Sequence, residues 1–276
     1  MSDLYIGPAG WSYPDWKGRV YPDPPPPGFD PLEYLSRFFN LLEINSTFYR
    51  PPSAGMAASW GRRSPDRFLF TAKAWERFTH GREPASLDDL RAFRDGLAPL
   101  REAGKLGALL FQFPWTFRDG LASRDRIRRA VDALRVLAPP VLELRHGSWL
   151  DRLDFLRGLG LGFCNIDQPA SSTGITGTRI LTGPLGYVRL HGRNAEAWFR
   201  PSAGRDEKYD YLYSKEELGG WVEAVESMSS ADRLFLVTNN HFQGKAVVNA
   251  LQLARALGKS IEIPDPLAAA YPDAFR

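Results

Sequence analysis

The stretch Val141-Leu142-Glu143-Leu144-Arg145-His146 carries the pattern from which the architecture of this chain can be predicted. Aliphatic residues alternate with charged ones, and successive side chains of a β-strand point to opposite faces. Leu142 and Leu144 should therefore face a layer of helices, while Glu143 and Arg145 share the other face. Charged residues in a short apolar run between helical segments are typical of a strand that contributes to a functional site.

Working outward from this stretch, similar short runs alternate with amphipathic helical segments along the chain. Strict β/α alternation indicates a parallel sheet, and eight pairs in 276 residues favour a (β/α)₈ TIM barrel with outer helices. The competing architecture is an open, doubly wound sheet. It is disfavoured because no Gly-x-Gly-x-x-Gly follows the first predicted strand. We expect one domain over residues 1–276. The predicted strands are Leu4–Gly10, Asn40–Tyr49, Phe68–Lys73, Leu106–Phe113, Val141–His146, Leu161–Asp167, Gly186–His191 and Leu234–Asn240.

Composition favours a cytoplasmic protein. No run approaches the roughly 20 apolar residues of a membrane span, and Met1–Tyr5 has no basic segment followed by an apolar one. The single cysteine, Cys164, has no partner for an internal disulfide. The net charge of +3 indicates at most a weak preference for anionic partners, because the many arginines fit solvated helix faces. The oligomeric state is left open.

Strand parity predicts a polar chamber at the carboxyl ends of the strands. Burying so many polar groups costs free energy unless they are paired, and this end of the barrel is where the fold builds its sites. The terminal inward residues are expected to be Asn45, Lys73, Gln112, Arg145, Asp167, His191 and Asn239, with Glu43, Glu143, Asn165 and Arg189 beneath them.

The expected catalytic groups are carboxylates and histidines. Glu143 would be a general acid or base, with Glu43 the alternate and Asp167 a further candidate. His191 and His146 would shuttle protons. Two plainer interpretations stay open: the glutamates pair with cations in a structural network, and His146 caps the next turn.

Cations and aromatic residues point to an anionic substrate. Arg145, Arg189 and Lys73 suit a carboxylate or phosphate. The amides Asn45, Gln112 and Asn239 would orient it, and His80 is a further contact. Trp11, Tyr49 and Tyr211 would wall the mouth. His241 is assigned to a turn or the surface. Gly244-Lys245 could hold a phosphate, although a plain glycine cap is favoured.

A divalent metal is a minority alternative. Glu43, Glu143, Asp167 and His191 could supply oxygen and nitrogen ligands, but no zinc-protease or cysteine-rich signature is present. Three cations in the same mouth argue against a tight metal cage. The cofactor is otherwise unknown.

Two long connections follow strands. Trp11–Phe29 and Gly192–Tyr213 are rich in aromatic residues, and each could be a binding loop or a plug over the barrel end.

Several motifs in order resemble the DUF72 (YecE-like) family. The resemblance spans nearly the whole chain and implies a TIM barrel with a polar pocket at its carboxyl face, but no reaction. One departure is Thr238 where the family more often has Phe, at an outward position. The motifs are Gly10-Trp11-Ser12-Tyr13-Pro14-Asp15-Trp16-Lys17-Gly18, Glu43-Ile44-Asn45-Ser46-Thr47-Phe48-Tyr49-Arg50, Thr79-His80, Leu110-Phe111-Gln112-Phe113-Pro114, Glu143-Leu144-Arg145-His146-Gly147-Ser148-Trp149, Arg189-Leu190-His191-Gly192 and Asn239-Asn240.

The leading hypothesis is an enzyme with hydrolase-type acid–base chemistry on a small anionic substrate. One alternative is a metal-dependent phosphoesterase or nuclease. Another is a non-catalytic binder of an anionic metabolite or a nucleic acid.

Overall fold

The computed structural model describes residues 2–81 and 83–276, which leaves Met1 and Arg82 outside the description. Eight parallel strands form a nearly closed barrel surrounded by helices, so the predicted fold class is confirmed. The strands are β1 (Asp3–Pro8), β2 (Leu41–Ile44), β3 (Leu69–Lys73), β4 (Leu106–Gln112), β5 (Pro140–Glu143), β6 (Gly162–Asp167), β7 (Leu185–Leu190) and β8 (Arg233–Thr238).

Helices lie between successive strands except β6 and β7, which are joined by an irregular connection over residues 168–184. Several begin at the predicted capping residues: the Asp30 side chain accepts from Glu33 N, and Ser86 and Ser214 form capping boxes. The helices are α1 (Pro31–Leu35), α2 (Ala54–Arg62), α3 (Glu76–Thr79), α4 (Leu87–Glu102), α5 (Leu121–Leu134), α6 (Leu153–Gly158), α7 (Ala195–Phe199), α8 (Arg205–Lys208), α9 (Lys215–Ser227), α10 (Lys245–Ala256) and α11 (Asp265–Ala270).

The sheet runs from β1 through β8 and back to β2, and the remaining seam lies between β1 and β2. A parallel bridge joins Ala9 to Glu43 there, and Gly10 N donates to the Glu43 carbonyl at 2.9 Å. Gly7 makes this approach possible, because a Cβ at that position would lie 1.8 Å from the Leu41 carbonyl oxygen. These contacts therefore close the barrel at one end of the seam, but β1 and β2 do not form a continuous ladder of backbone hydrogen bonds.

The second strand is shorter than predicted. We expected Asn40–Tyr49, but β2 ends at Ile44 and a 3-10 turn follows over Ser46–Phe48. The Thr47 hydroxyl lies 3.0 Å from the Ile44 carbonyl oxygen and 2.7 Å from that of Lys73, which holds the turn against β3. The apolar and aromatic residues of this turn resemble a strand in sequence.

Two apolar clusters separate the inside of the barrel from the helix layer. The inner cluster includes Leu41, Leu110, Cys164, Ile166 and Tyr187. The outer cluster contains the neighbouring residues of the same strands, together with the helix faces. This division gives the direction of every strand side chain and confirms the predicted inward set on β2, β3, β4, β5 and β7.

On β6 the predicted direction is wrong. Cys164 and Ile166 occupy the inner cluster, so Asn165 and Asp167 face the helices. The Asn165 Oδ1 accepts from Ile180 N at 2.7 Å, and Asp167 accepts from Trp221 Nε1 on α9. Polarity misled the prediction here because both buried polar groups are satisfied outside the barrel, whereas the axis takes the small thiol and the isoleucine.

In the described part of the chain, no helix combines the length and apolarity that a membrane crossing requires.

Candidate functional site

A buried ion network forms the floor of the mouth. The Arg189 guanidinium donates from Nη2 to Glu43 Oε1 at 2.6 Å and from Nη1 to Glu143 Oε2. All three side chains are almost fully buried. The Tyr187 hydroxyl donates to Glu43 Oε2 at 2.8 Å and lies 2.8 Å from Thr71 Oγ1. Charged groups from β2, β5 and β7 are thus tied together across the axis, as the structural-network interpretation of the glutamates requires.

Glu143 is a fully engaged carboxylate. Its Oε1 accepts from Arg145 Nε at 2.8 Å and Nη2 at 2.5 Å, and its Oε2 accepts from Arg189. Burial alone would raise the pKa of Glu143, but the Arg189 and Arg145 guanidiniums and the nearby His191 hold it well below its usual value. A carboxylate that stays ionised cannot deliver a proton at neutral pH, so these contacts argue against a general-acid role.

Lys73 lies above this floor with a free amine. Its side chain points inward from the end of β3, is 9% exposed, and places Nζ 4.1 Å from the centre of the Phe48 ring. Among the residues that the structure describes, no oxygen lies within hydrogen-bond or ion-pair distance of Nζ. Burial, with a further contribution from Arg189, lowers the pKa of Lys73 to about 7. This amine can therefore exchange a proton near neutral pH.

His191 is a buried, neutral imidazole beside the same carboxylate. Asn239 Nδ2 donates to His191 Nδ1 at 2.9 Å, so the ring carries its proton on Nε2. That Nε2 lies 3.7 Å from Glu143 Oε1, beyond hydrogen-bond length, and has no partner among residues 2–81 and 83–276. Burial lowers the pKa of His191 to about 3. A buried donor without a partner calls for an explanation such as a catalytic role or a bound water.

The chain has four histidines, of which His146, His191 and His241 follow the ends of β5, β7 and β8, while His80 follows α3. Burial lowers the pKa of His80 to about 4, with Lys73 and Arg145 contributing, and the His80 ring lies 5.2 Å from the Phe48 ring. His241, which we had assigned to a turn or the surface, is 5% exposed and packs against Tyr13 and Tyr209. Its pKa is lowered to about 4 by burial and by Arg205.

His146 has the capping role rather than an evident shuttle role. Its Nδ1 accepts from Ser148 N at 3.2 Å at the start of a 3-10 helix over Gly147–Arg152. Capping occupies one ring nitrogen and fixes the ring orientation. The alternative of a turn cap, left open by the sequence, therefore accounts for this residue.

The mouth opens into an aromatic and basic cleft of about 480 Å³. Trp198 and Tyr209 lie with their ring centres 6.2 and 6.1 Å from that of His191. Arg145 and Lys208 supply positive charge, and Trp115 presents an exposed ring at the rim. No acidic side chain lines this cleft in the part of the chain that is described. Its surface therefore suits a ligand with a negative charge and a flat or apolar part.

Two predicted wall residues lie elsewhere. The Trp11 ring packs against Trp60 and Phe70 in the outer cluster. The Tyr211 hydroxyl donates to Glu217 on α9 at 2.6 Å. Both side chains turn toward the helix layer, so the prediction that they wall the mouth is wrong. Tyr49 lies at the rim and is 63% exposed.

Asp167 is separated from the other proposed catalytic groups. It accepts from Arg193 and Trp221 on the helix side of β6. The proposed metal set of Glu43, Glu143, Asp167 and His191 therefore does not converge. In the described ranges, no three His, Cys, Asp or Glu side chains lie where they could hold a metal ion together.

The amides divide into engaged and free groups. Asn239 orients His191, and Asn45 lies near the Tyr13 hydroxyl, which donates to the Ala9 carbonyl at 2.7 Å. Gln112 ends β4 opposite Glu143 and is half-buried. These positions leave Gln112 as the amide whose side chain is best placed to meet a ligand.

The two long connections behave differently. Residues 11–29 are anchored by Trp16, Val20 and Tyr21, which are buried in the outer cluster, and Trp16 Nε1 donates to the His241 carbonyl at 2.8 Å, whereas residues 23–28 are exposed. Residues 192–213 bring Trp198 and Tyr209 over the mouth, as a binding loop would.

Gly244-Lys245 has the plain capping role. Gly244 has φ of 83° at the start of α10, and a Cβ there would lie 2.5 Å from Val20. The Lys245 amine pairs with Asp210. The glycine is therefore required by its backbone conformation and packing, and the lysine already has a carboxylate partner.

Sequence reasoning missed Tyr13, Trp198, Tyr209 and His241 at the mouth. All four lie after strand ends rather than within strands, where parity gives no direction. The available signal was the density of aromatic residues in the two long connections, which does not say which rings turn inward.

Comparison with known proteins places the chain in a family. The model described as "Protein of unknown function DUF72" matches residues 5–272. The UPF0759 protein YunF of Bacillus subtilis is 28% identical over 271 residues, covering 92% of this chain and 94% of YunF. YecE of Escherichia coli is 32% identical over 115 residues, which are 41% of this chain and 39% of YecE.

Solved structures agree with this placement. A DUF72 family protein from Thermotoga maritima is 31% identical, with a TM-score of 0.79, and the match covers 93% of this chain and 100% of that one. Another from Enterococcus faecalis is 27% identical, with a TM-score of 0.83 and coverage of 95% and 98%. Sequence and structural likeness thus extend over the whole barrel.

Proposed function

This chain belongs to the DUF72 family, whose description assigns no reaction, and we propose from its geometry that it is an enzyme acting by acid–base catalysis on a small anionic substrate at the barrel mouth. The observation that carries the proposal is the free Lys73 amine, buried above an ion network in which the carboxylates are already neutralised. A purely structural lysine at this depth is expected to have a hydrogen-bond or ion-pair partner, because pairing offsets the cost of removing the amine from water.

The proposed roles follow from the contacts. Lys73 exchanges the proton, and His191 donates a hydrogen bond from its unsatisfied Nε2. Arg145, which both contacts Glu143 and lines the cleft, attracts the anionic group. Glu43, Glu143 and Arg189 hold these groups in place and are not the proton carriers.

The cleft supports a substrate with a flat or apolar part. Trp198 and Tyr209 can pack on such a group, while Arg145 and Lys208 face its charge. Carboxylates and phosphates with an attached ring or short carbon chain meet both requirements.

The test is a panel of small carboxylates and phosphates, screened for thermal stabilisation and for turnover by mass spectrometry. We expect at least one compound to bind and to be converted, with both effects lost in Arg145→Ala and conversion lost in Lys73→Met. Arg179→Ala is the matched control, because Arg179 makes an exposed ion pair with Glu223 far from the mouth chemistry. Equal binding by wild type and Arg145→Ala would contradict the proposed site.

One observation favours a second candidate, a non-catalytic binder of single-stranded nucleic acid. Trp115 and Phe199 are 69% and 55% exposed at the rim of a basic cleft, as in stacking platforms. Tight binding of an oligonucleotide that weakens steeply with salt, without conversion of any compound in the panel, would favour this candidate.

A further inference from the structure

Two buried lysines of this chain have opposite surroundings. Lys105 is 7% exposed, and its Nζ donates to the Gly61 and Ser64 carbonyls at 2.7 Å each and to Ser64 Oγ at 3.1 Å. All three of its protons are engaged. Lys73 is equally buried, but its Nζ contacts the face of Phe48 and has no oxygen partner among the described residues. Lys105 is therefore a structural lysine, and the Lys73 amine is available for chemistry.

Burial is the main reason that the neutral form of Lys73 is favoured, and Arg189 makes the largest contribution among the neighbouring charges. Arg189 and Arg145 disfavour a third cation, and although Glu143 and Glu43 oppose this effect, both glutamates are already bound by the two arginines. A lysine that is desolvated and flanked by other cations is the usual form of an amine nucleophile in enzymes.

We propose that Lys73 forms a Schiff base with an aldehyde or ketone that carries a carboxylate or phosphate. This inference deepens the proposed function and rests on its placement of the anion at the mouth. It assigns the substrate to the carbonyl compounds and makes Lys73 a covalent catalytic residue rather than a proton carrier only.

The step balances without a further reagent. The lone pair of Nζ forms a bond to the carbonyl carbon, and the π electrons move to the oxygen, which takes one amine proton to give a carbinolamine. Loss of the second amine proton and of the hydroxyl group releases one water and leaves the C=N bond. Protonation of that nitrogen gives the iminium, which withdraws electrons from the adjacent carbon.

The neighbouring groups fit the two ends of such a substrate. His191 carries a proton on Nε2 that has no partner in the described part of the chain, and it can donate to the carbonyl oxygen as negative charge develops there. Arg145 reaches from Glu143 into the cleft, where the anionic group enters.

The test is reductive trapping on the whole protein. Glyoxylate, pyruvate and pyridoxal 5′-phosphate are each incubated with the protein and sodium cyanoborohydride near pH 7, and peptide mass spectrometry measures the adduct on every lysine. We expect at least one of the three to label Lys73 at least about tenfold faster than the exposed Lys17, because an ordinary lysine is almost wholly protonated at this pH. Lys105 should stay unlabelled.

The controls separate this inference from the proposed function. Lys73→Met keeps a side chain of similar length without the amine and should abolish the fast adduct while the protein stays folded; if that variant does not fold, the site-resolved labelling of the wild type decides alone. Labelling of Lys73 no faster than Lys17 by all three probes overturns the Schiff base. If lactate or inorganic phosphate then still stabilises the wild type but not Arg145→Ala, the proposed function survives, and if neither binds, both proposals fail.

Discussion

Arg189 and Glu43 form a fully buried ion pair, with Nη2 2.6 Å from Oε1, at the centre of the barrel beneath the mouth. The second nitrogen of the same guanidinium binds Glu143, so one cation compensates two carboxylates from different strands. This relationship makes the floor of the site a structural element, distinct from the groups that lie above it.

Arg189→Met should destabilise the protein by about 3–5 kcal/mol, because it leaves two buried carboxylates without their shared cation. Urea unfolding measures this loss. The matched control is Arg179→Met, whose exposed pair with Glu223 should be worth about 0–1 kcal/mol. A loss at Arg189 as small as that at Arg179 would refute the structural role of the network.

Lys73→Met should raise the free energy of unfolding at pH 7 by about 1–3 kcal/mol, because it replaces an unpaired buried amine with an apolar chain of similar length. The folded-state pKa of Lys73, about 7, lies below its unfolded value, so wild-type stability should rise between pH 7 and 10 as the unfolded chain holds the extra proton. Lys73→Met should lose that rise. A destabilised variant would mean that Nζ has a partner.

His191→Gln should reduce the loss of stability in mild acid, and His80 and His241, whose pKa values are lowered to about 4, should account for slope that remains. The pKa of His191 is lowered to about 3, so between pH 6.5 and 5 only the unfolded state takes up the proton and stability falls with pH. The slope from this one group approaches about 1.4 kcal/mol per pH unit. Glu143, whose pKa is also lowered, acts only below its unfolded value near 4.5, outside this window. Identical slopes in the two proteins would show that His191 titrates normally.

Trp198→Ala and Tyr209→Ala should weaken binding of any anion that the mouth accepts, because their rings face His191 across the cleft. Each is expected to raise the dissociation constant roughly tenfold, the loss typical of one packed aromatic contact. Tyr211→Phe is the control, since its hydroxyl bonds Glu217 away from the mouth. Calorimetry with the best compound of the anion panel measures all three. If only Tyr211→Phe weakened binding, the proposed position of the anion site would be wrong.

Asp167→Asn should lower stability without changing anion affinity, because Asp167 accepts hydrogen bonds from Arg193 and Trp221 on the helix side of β6. Losing the charge should cost about 1–3 kcal/mol, as for a hydrogen bond to an ionised group. Thermal unfolding and the same calorimetry provide the comparison. If Asp167→Asn lost anion affinity while its stability was unchanged, Asp167 would have to be part of the binding site.

The order of apolar and polar residues along the chain determined the barrel, its eight strands and the inward direction of Glu43, Lys73, Glu143, Arg189 and His191. These features follow from local periodicity, because alternate residues of a strand point to opposite faces and one face of every strand in a barrel points to the common axis. Strand parity gave the wrong direction for Asn165 and Asp167, because both faces of β6 carry residues that can be buried. The groups that bind Asn165 and Asp167 lie far away in the sequence.

Only the tertiary structure decided which buried groups are paired and which are free. Lys73 and Lys105 look alike in sequence, yet one amine has three acceptors and the other meets an aromatic face. The same holds for Trp11 and Trp198, which both follow strands but turn to opposite sides. Whether a buried polar group is paired depends on distances between segments that are remote in sequence. Local periodicity carries no information about those distances.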